Sequence, residues 1–368
     1  MNILILSANT GQGHNSCSEA VKEEFEARGS SCDICDSLAF VSRAVSRFVV
    51  RVHIGSYKKA PQAFGWGYRV SERHPQIFGR RSPIYFFFKK GAKKLEAFIE
   101  EKGYDIVIAC HVFAAVILSE AKKGAGKQYK TAFVATDYTR SPGVDQSCLD
   151  HYFIPDDSLT DEFTTGQITK DKLCASGIPV KKEYFSSADK AAAKELLCTD
   201  KNSLHLIVMC GSMGCGPIKE IAFELERELK EDCEASIICG SNEKLRKYLL
   251  RKFSKNERFH IYGYVDNVSL FMDSADLYLT KPGGISVCEA AAKRLPMVFV
   301  DAVSGCETYN RNFFADAKGA LCEKSPKELA KACAQLLSDE KRRAEMAAAL
   351  SKLYPQNPAK KIYEVLAL

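Results

Sequence analysis

The stretch "SANTGQGHNS", Ser7 to Ser16, sets Gly11 and Gly13 just ahead of His14, where a hydrophobic strand gives way to a helix. Glycines let a backbone approach a ligand closely, and the first turn of a helix presents unpaired N–H groups and a partial positive charge. That positive end disfavours an imidazolium. His14 is therefore expected to be neutral and able to take a proton from an alcohol, as a general base near neutral pH. The plainer alternative is a histidine that only hydrogen-bonds the turn.

A second group lies in "YLTKPGGISVCEAAAKRLPMVFVDAVSGCETYN", Tyr278 to Asn310. A strand ends at Lys281 and Pro282, Gly283 and Gly284 turn the chain, and a helix begins at Ser286. This reads as an anion site with a lysine beside it. Glu289, one turn into the helix, is at a distance suited to a ribose diol. Glu307 and Asn310 follow the next strand, where strand ends line a cleft. The segment could also be an ordinary strand–turn–helix, but its polar residues cluster too tightly at strand ends for that reading to be preferred. Two common phosphate motifs are excluded. The first loop lacks the third glycine of a dinucleotide fingerprint, and no G-x-x-x-x-G-K-[S/T] occurs.

The elements that must position these residues alternate. "NILILSANTGQGH" is a strand followed by a glycine loop, and "LHLIVMCGSMGCG" from Leu204 repeats that plan. Amphipathic helices follow, with Val21 and Phe25 inward in one and Ile218, Ile221 and Leu225 in the other. Further strands read as "YDIVIACHV", "KTAFVATDY" and "HYFIP", then "ASIICG", "RFHIYGYV", "ADLYLT" and "MVFV". Short apolar strands alternating with helices make an α/β protein with parallel, doubly wound sheets. Two Rossmann-like domains facing each other across a cleft are expected. The first spans 1–180 and the second 181–350, divided within "ASGIPVKKEYFSSADK". Residues 351–368 form a tail whose helix after Pro358 is expected to pack back on the first domain.

With 368 residues, 46% of them hydrophobic, the chain can bury two cores of ordinary size. It has no run of 18 uncharged apolar residues to span a membrane, and its N-terminus lacks the pattern of a signal peptide. The fifteen cysteines are scattered as in a protein of the reducing cytosol, and the C-x-x-C pair Cys32 and Cys35 has no second pair at zinc-site distance. Charge is uneven. Between Arg43 and Lys94 thirteen Lys or Arg residues stand against one acid, Glu72. There, Val45, Phe48, Val49 and Val52 recur at helical spacing, with Arg43, Arg47 and Arg51 on a separate ridge. Trp66 lies between Phe64 and Tyr68, and Arg80, Arg81, Phe87, Lys89 and Lys90 follow. Basic residues interleaved with aromatics suit an anionic membrane surface. A core helix with a solvated basic face, or a single-stranded nucleic acid site, are the alternatives. No RNA-binding signature accompanies the segment, so nucleic acid is not an expected partner.

Taken together, these motifs resemble the monogalactosyldiacylglycerol synthase and processive diacylglycerol glucosyltransferase family of inverting GT-B glycosyltransferases. The resemblance covers essentially the whole chain, through "SANTGQGHNS", "YDIVIACHVF", "TDYTRSP", "GSMG", "GYVDNVSLFMDSADLYLTKPGG", "SVCEA" and "GCETYN". More distantly the chain is similar to the N-acetylglucosaminyltransferase that completes lipid II. The resemblance implies a GT-B fold and transfer of a hexose from a UDP-sugar to diacylglycerol, on the cytoplasmic face of the cell membrane. Gly263, Tyr264 and Val265 match the loop that meets uracil, and Glu289 the ribose ligand. Gly211, Ser212, Met213 and Gly214, with Lys281, Pro282, Gly283, Gly284, Ile285 and Ser286, match the diphosphate loops. Cys306, Glu307 and Asn310 match positions facing the donor sugar. His14 matches the base, with Gly13, His111 and Asp137 on the acceptor side. Cys306 stands where the family usually has glutamine, and the histidine and tryptophan usual around Arg140 are absent. No D-x-D motif is present, so helix N-termini and Lys281 are expected to stabilise the diphosphate without a metal or other cofactor. A UDP-sugar epimerase or a non-catalytic UDP- or lipid-binding relative are the other readings.

Overall fold

The computed structural model describes residues 1–8, 11–44, 46–49, 51, 55, 67, 69–74, 77, 82–124, 126, 128–301 and 305–368. Within them the chain forms two compact units. The first comprises Met1–Lys182, Val303–Tyr309 and Asn357–Leu368, the second Glu183–Ala302 and Asn310–Gln356.

The first unit holds a parallel sheet of β1 (Asn2–Ser7), β2 (Ser31–Asp36), β3 (Ile106–Ala109), β4 (Lys130–Val134), β5 (His151–Ile154) and β6 (Leu173–Ala175), in the order β2-β1-β3-β4-β5-β6. β1 sits between two later strands, Ile3 facing Cys32 on one side and Ile106 on the other. Its residues Ile3 to Leu6 are fully buried, as a strand covered on both faces requires. Helices α1 (Gln12–Glu26), α2 (Ser37–Val41), α3 (Pro83–Lys102), α4 (Val112–Lys122) and α5 (Thr160–Phe163) connect the strands. α1 buries Val21 and Phe25, as its apolar spacing predicts.

In the second unit β7 (Leu204–Met209), β8 (Cys233–Ile238), β9 (Phe259–Tyr262), β10 (Leu277–Thr280), β11 (Met297–Phe299) and β12 (Ala320–Cys322) form a parallel sheet in the order β12-β11-β10-β7-β8-β9. Around it run α6 (Lys190–Leu196), α7 (Ile218–Glu228), α8 (Glu243–Lys252), α9 (Val268–Ser274), α10 (Gly284–Ala292), α11 (Cys306–Asp316), α12 (Pro326–Ser338) and α13 (Glu340–Leu353). α7 buries Ile218, Ile221 and Leu225, the expected set. The unit boundary falls between Tyr309 and Asn310, inside α11.

The last helix, α14 (Pro358–Ala367), belongs to the first unit and packs on α1. The Phe25 and Tyr363 rings meet edge to face at 5.1 Å, and the Arg28 guanidinium lies 4.4 Å above the Tyr363 ring. Lys361 Nζ donates to the Ala175 carbonyl at 2.6 Å, tying the helix to the end of β6.

Strand patterning does not mark β2, β6 and β12. All three are edge strands; β2 mixes polar with apolar residues, and β6 and β12 are only three residues long. β2 carries the C-x-x-C pair. Burial pushes the Cys32 thiol up to about 12 and raises that of Cys35, which disfavours the thiolate that metal or redox chemistry needs. No two described cysteines are joined in a disulfide.

On β7 of the second sheet, His205 is buried with Nδ1 2.9 Å from Ser274 Oγ and Nε2 2.8 Å from Ser236 Oγ. Desolvation, aided by Lys194, lowers its pKa to about 4. The folded protein therefore keeps this ring neutral while an unfolded chain protonates it from about pH 6.5 downward. Stability contributed by His205 is present above that pH and falls between about 6.5 and 4, by at most about 1.4 kcal/mol per pH unit. Urea midpoints of the whole chain should fall over this window, and His205→Asn, which cannot titrate, should show a shallower fall. Equal slopes in the two proteins would refute the assignment.

Candidate functional site

In each sheet the strand order reverses beside the first strand, between β1 and β3 and between β7 and β10. Crossovers then leave in opposite directions, and the carboxyl ends of those strands open a crevice suited to ligands. His14 lies at the first of these places and Lys281 at the second, whereas Asp137 follows β4 and Tyr264 follows the edge strand β9.

In the first unit Gly11 is the N-cap of α1 and His14 its third residue. Gly11 is extended, with open space where a side chain would project, so clearance rather than backbone strain distinguishes glycine there. Ser7 Oγ donates to Asn15 Oδ1 at 2.7 Å, joining the end of β1 to the first turn. His14 Nδ1 lies 2.9 Å from the Cys110 carbonyl at the end of β3, and Thr136 Oγ1 lies 3.1 Å from the same nitrogen. A carbonyl only accepts, so Nδ1 carries a proton, and in the neutral ring Nε2 then holds the lone pair. The His111 ring packs edge to face on His14, centroids 4.5 Å apart, and its own Nδ1 accepts from the Phe113 amide to cap α4. The δ nitrogen of His111 is thereby engaged at the start of α4. Asp137 follows β4 and accepts a hydrogen bond from Cys306, whose thiol burial and this carboxylate keep protonated. Glu307, the next residue, is buried.

In the second unit the β7 loop interlocks with the β8 loop. Gly214 has φ +58°, and a Cβ there would stand 2.0 Å from the Cys239 carbonyl oxygen. Gly240 has φ +54°, and its Cβ would meet the Ser212 carbonyl oxygen at 2.3 Å. The Ser241 amide donates to Ser212 O at 2.9 Å, and Asn242 Nδ2 to Gly214 O at 3.1 Å. Only glycine fits either position. Beside this loop, Thr280 Oγ1 donates to Met209 O at 2.7 Å, holding the ends of β10 and β7 together. Lys281 and Pro282 are buried, the Gly283 amide donates to Lys281 O at 2.8 Å, and α10 opens at Gly284, with Ile285 buried and Ser286 half-buried. Gly283, its N-cap, has no side chain to occupy the first amides, and the space before Gly211 and Gly283 is open. Two glycine turns and a lysine thus converge on one end of the sheet, an arrangement able to hold a diphosphate.

Asn310 is fully buried, and its Nδ2 donates to Pro282 O at 3.0 Å, so part of its amide fixes the lysine turn. Glu289 is buried in α10, where the Tyr184 hydroxyl donates to it. Gly263, Tyr264 and Val265 follow β9 at the sheet edge. Tyr264 is exposed, and Arg246 Cδ would lie 3.2 Å from a Cβ on Gly263. Thr136, the Cys110 carbonyl, Tyr184, Gly240 and Arg246 were absent from the sequence expectation. Gly240, directly after a predicted strand, carried a readable signal; the others act through backbone or through distant contacts.

Of the basic segment, Arg43, Arg47, Arg51, Lys89 and Lys90 are exposed, as are Phe48 and Phe87 with neighbouring Phe86. Val49 instead packs against the first core. Val45, Val52, Phe64, Trp66, Tyr68, Arg80 and Arg81 lie outside the described residues. Among the described residues no helix is long and apolar enough to cross a membrane.

Comparison with known proteins gives a consistent result. Residues 14–180 match the family model for monogalactosyldiacylglycerol (MGDG) synthase, and residues 221–352 that for glycosyl transferases group 1. A processive diacylglycerol beta-glucosyltransferase of Bacillus licheniformis is 26% identical over 365 residues, covering 98% of this chain and 93% of the relative. Among solved structures, Acinetobacter baumannii MurG superposes with a TM-score of 0.65 at 12% identity, covering 100% of this chain and 99% of that one. A UDP-GlcNAc 2-epimerase from Neisseria meningitidis, bound to UDP-GlcNAc, gives 0.64 at 14% identity over 100% of both chains. These structural likenesses establish the GT-B fold.

The two β7-loop glycines separate strain from collision. Gly211 has φ +75° with open space, so Gly211→Ala should lower stability by about 1–2 kcal/mol. Gly214→Ala adds a backbone collision and should cost at least about 3 kcal/mol and remove UDP binding. Urea unfolding and calorimetry check both, and equal effects would contradict the interlocked loops.

Proposed function

We propose, for a chain that belongs to the monogalactosyldiacylglycerol synthase and diacylglycerol glucosyltransferase family, that it transfers a hexose from a UDP-sugar to diacylglycerol with inversion at the anomeric carbon. The acceptor hydroxyl attacks, the bond from the sugar to UDP breaks, and the hydroxyl proton passes to His14 Nε2. The observation that carries this reading is the contact of His14 Nδ1 with the Cys110 carbonyl, which assigns the ring proton to Nδ1. Thr136 and the His111 ring limit its rotation. In the second unit, amides at the start of α10 and in the β7 loop receive the charge that develops on the leaving diphosphate, with Lys281 adding a cation. Glu289 holds the ribose, Gly263 to Val265 the uracil, and Glu307 the sugar. Asn310 supports the lysine turn.

The exposed cations and phenylalanines between Arg43 and Lys90 are proposed to rest on an anionic bilayer at the cytoplasmic face, where the acceptor resides. An epimerase reading shares the fold, but leaves this segment without a role, since a sugar nucleotide is soluble.

Purified protein, vesicles containing diacylglycerol and phosphatidylglycerol, and a panel of UDP-hexoses test the proposal and identify the sugar. Glycolipid should form, and His14→Ala should lower kcat by roughly 10²–10⁴ while calorimetric UDP affinity is kept. Near-normal turnover in His14→Ala would end its role as base. Because amides and Lys281 carry the diphosphate charge, EDTA should leave the initial rate within about twofold. Loss of activity that a divalent cation restores would contradict this.

A further inference from the structure

The one acid between Arg43 and Lys94 has a distant partner. The Tyr309 hydroxyl donates to Glu72 Oε1 at 3.1 Å, joining positions 237 residues apart within the first unit. Glu72 lies in a helical stretch, residues 69–73, where Ser71 Oγ donates to Gly67 O and the His74 amide to Val70 O. Tyr309 lies in the first turn of α11, two residues beyond Glu307. At about 100° per residue, positions two apart on a helix point to nearly opposite sides. Glu307 is accordingly buried while Tyr309 is 40% exposed. The phenol can therefore grip the basic segment without displacing the carboxylate that faces the sugar. Cys306, hydrogen-bonded to Asp137, holds the same turn from another side. Burial, and after it the charge of Glu72, raise the Tyr309 phenol above its ordinary range, so it remains a donor.

We propose that Glu72 and Tyr309 are a positioning pair, whose hydrogen bond sets the Glu307-bearing turn of α11 when the basic segment rests on a membrane. This rests on the proposed function, in which that segment meets the bilayer and Glu307 meets the donor hexose. Neither residue touches substrate. The bond carries the register of the docked segment to the turn that does.

The test uses the full chain as Tyr309→Phe, Glu72→Ala, the double variant and Glu72→Gln. Rates are measured on vesicles of phosphatidylglycerol, phosphatidylcholine and diacylglycerol, and on diacylglycerol in non-ionic detergent micelles. Flotation reads vesicle binding, calorimetry UDP affinity, and thermal unfolding integrity. Each bond-breaking single variant should lose about three- to tenfold in vesicle kcat, and the double variant no more than the larger single loss. Glu72→Gln, which still offers a carbonyl acceptor, should retain most of the rate. Detergent rate, UDP affinity and flotation should stay near wild type, Tyr309→Phe serving as the variant of unchanged charge. Additive losses in the double variant, or equal losses in detergent and on vesicles, would overturn the pair. Wild-type protein that neither floats with vesicles nor works on them would instead refute the membrane reading, and the pair's role with it.

Discussion

The first turn of a helix, whose leading N–H groups find no partner within that helix, is the constraint around which the candidate sites of both units are built. A helix leaves its first N–H groups unpaired, and a parallel sheet whose order reverses leaves a gap at the carboxyl ends of two adjacent strands. In both units the first strand borders that gap, and its loop runs into glycine. In the second unit the gap is flanked by two glycine turns with a lysine. In the first, an imidazole occupies the corresponding turn. On the proposed reading one topology thus serves two kinds of chemistry, according to the side chain set at the helix start.

The difference is electrostatic. In the proposed reaction an anion is drawn to helix amides and Lys281, whereas a proton acceptor works only while it is uncharged. The Cys110 carbonyl fixes the tautomer by holding the proton on Nδ1 of His14, which turns Nε2 of the neutral ring into the acceptor. Rigidity matters equally. Gly214 and Gly240 interlock through backbone contacts that no side chain would allow, and Thr280 and Asn310 fasten the lysine turn to the end of β7 and to α11. Such fixed amides need little reorganisation as charge develops, the condition under which electrostatic stabilisation is most effective.

Much of this was legible in the sequence because central parallel strands are continuous apolar runs and glycine turns punctuate them. β1, β3, β7 and β10 stood out for that reason, as did Val21, Phe25 and Ile221. β2 did not, because its edge position admits polar residues among the apolar ones, and β6 and β12 did not because each is only three residues long. At the sites, His14 and Lys281 were readable from their place after a strand. What they lean on was not: a carbonyl after β3, a threonine after β4, and a tyrosine, Tyr184, in a loop with no strand pattern. Partners brought together by long-range folding leave no local period to read. The tie between Tyr309 and Glu72 is of the same kind.

The central claim is that the diphosphate is held by amides of the second unit, while the glycine turn of the first serves the acceptor. Hydrogen exchange of the full chain, followed by mass spectrometry with and without saturating UDP, tests this most directly. Protection should appear in peptides covering Gly211 to Gly214 and Lys281 to Ser286, and peptides covering Gly11 to Asn15 should be unchanged. Protection confined to the first turn, with the second-unit loops unaffected, would contradict it.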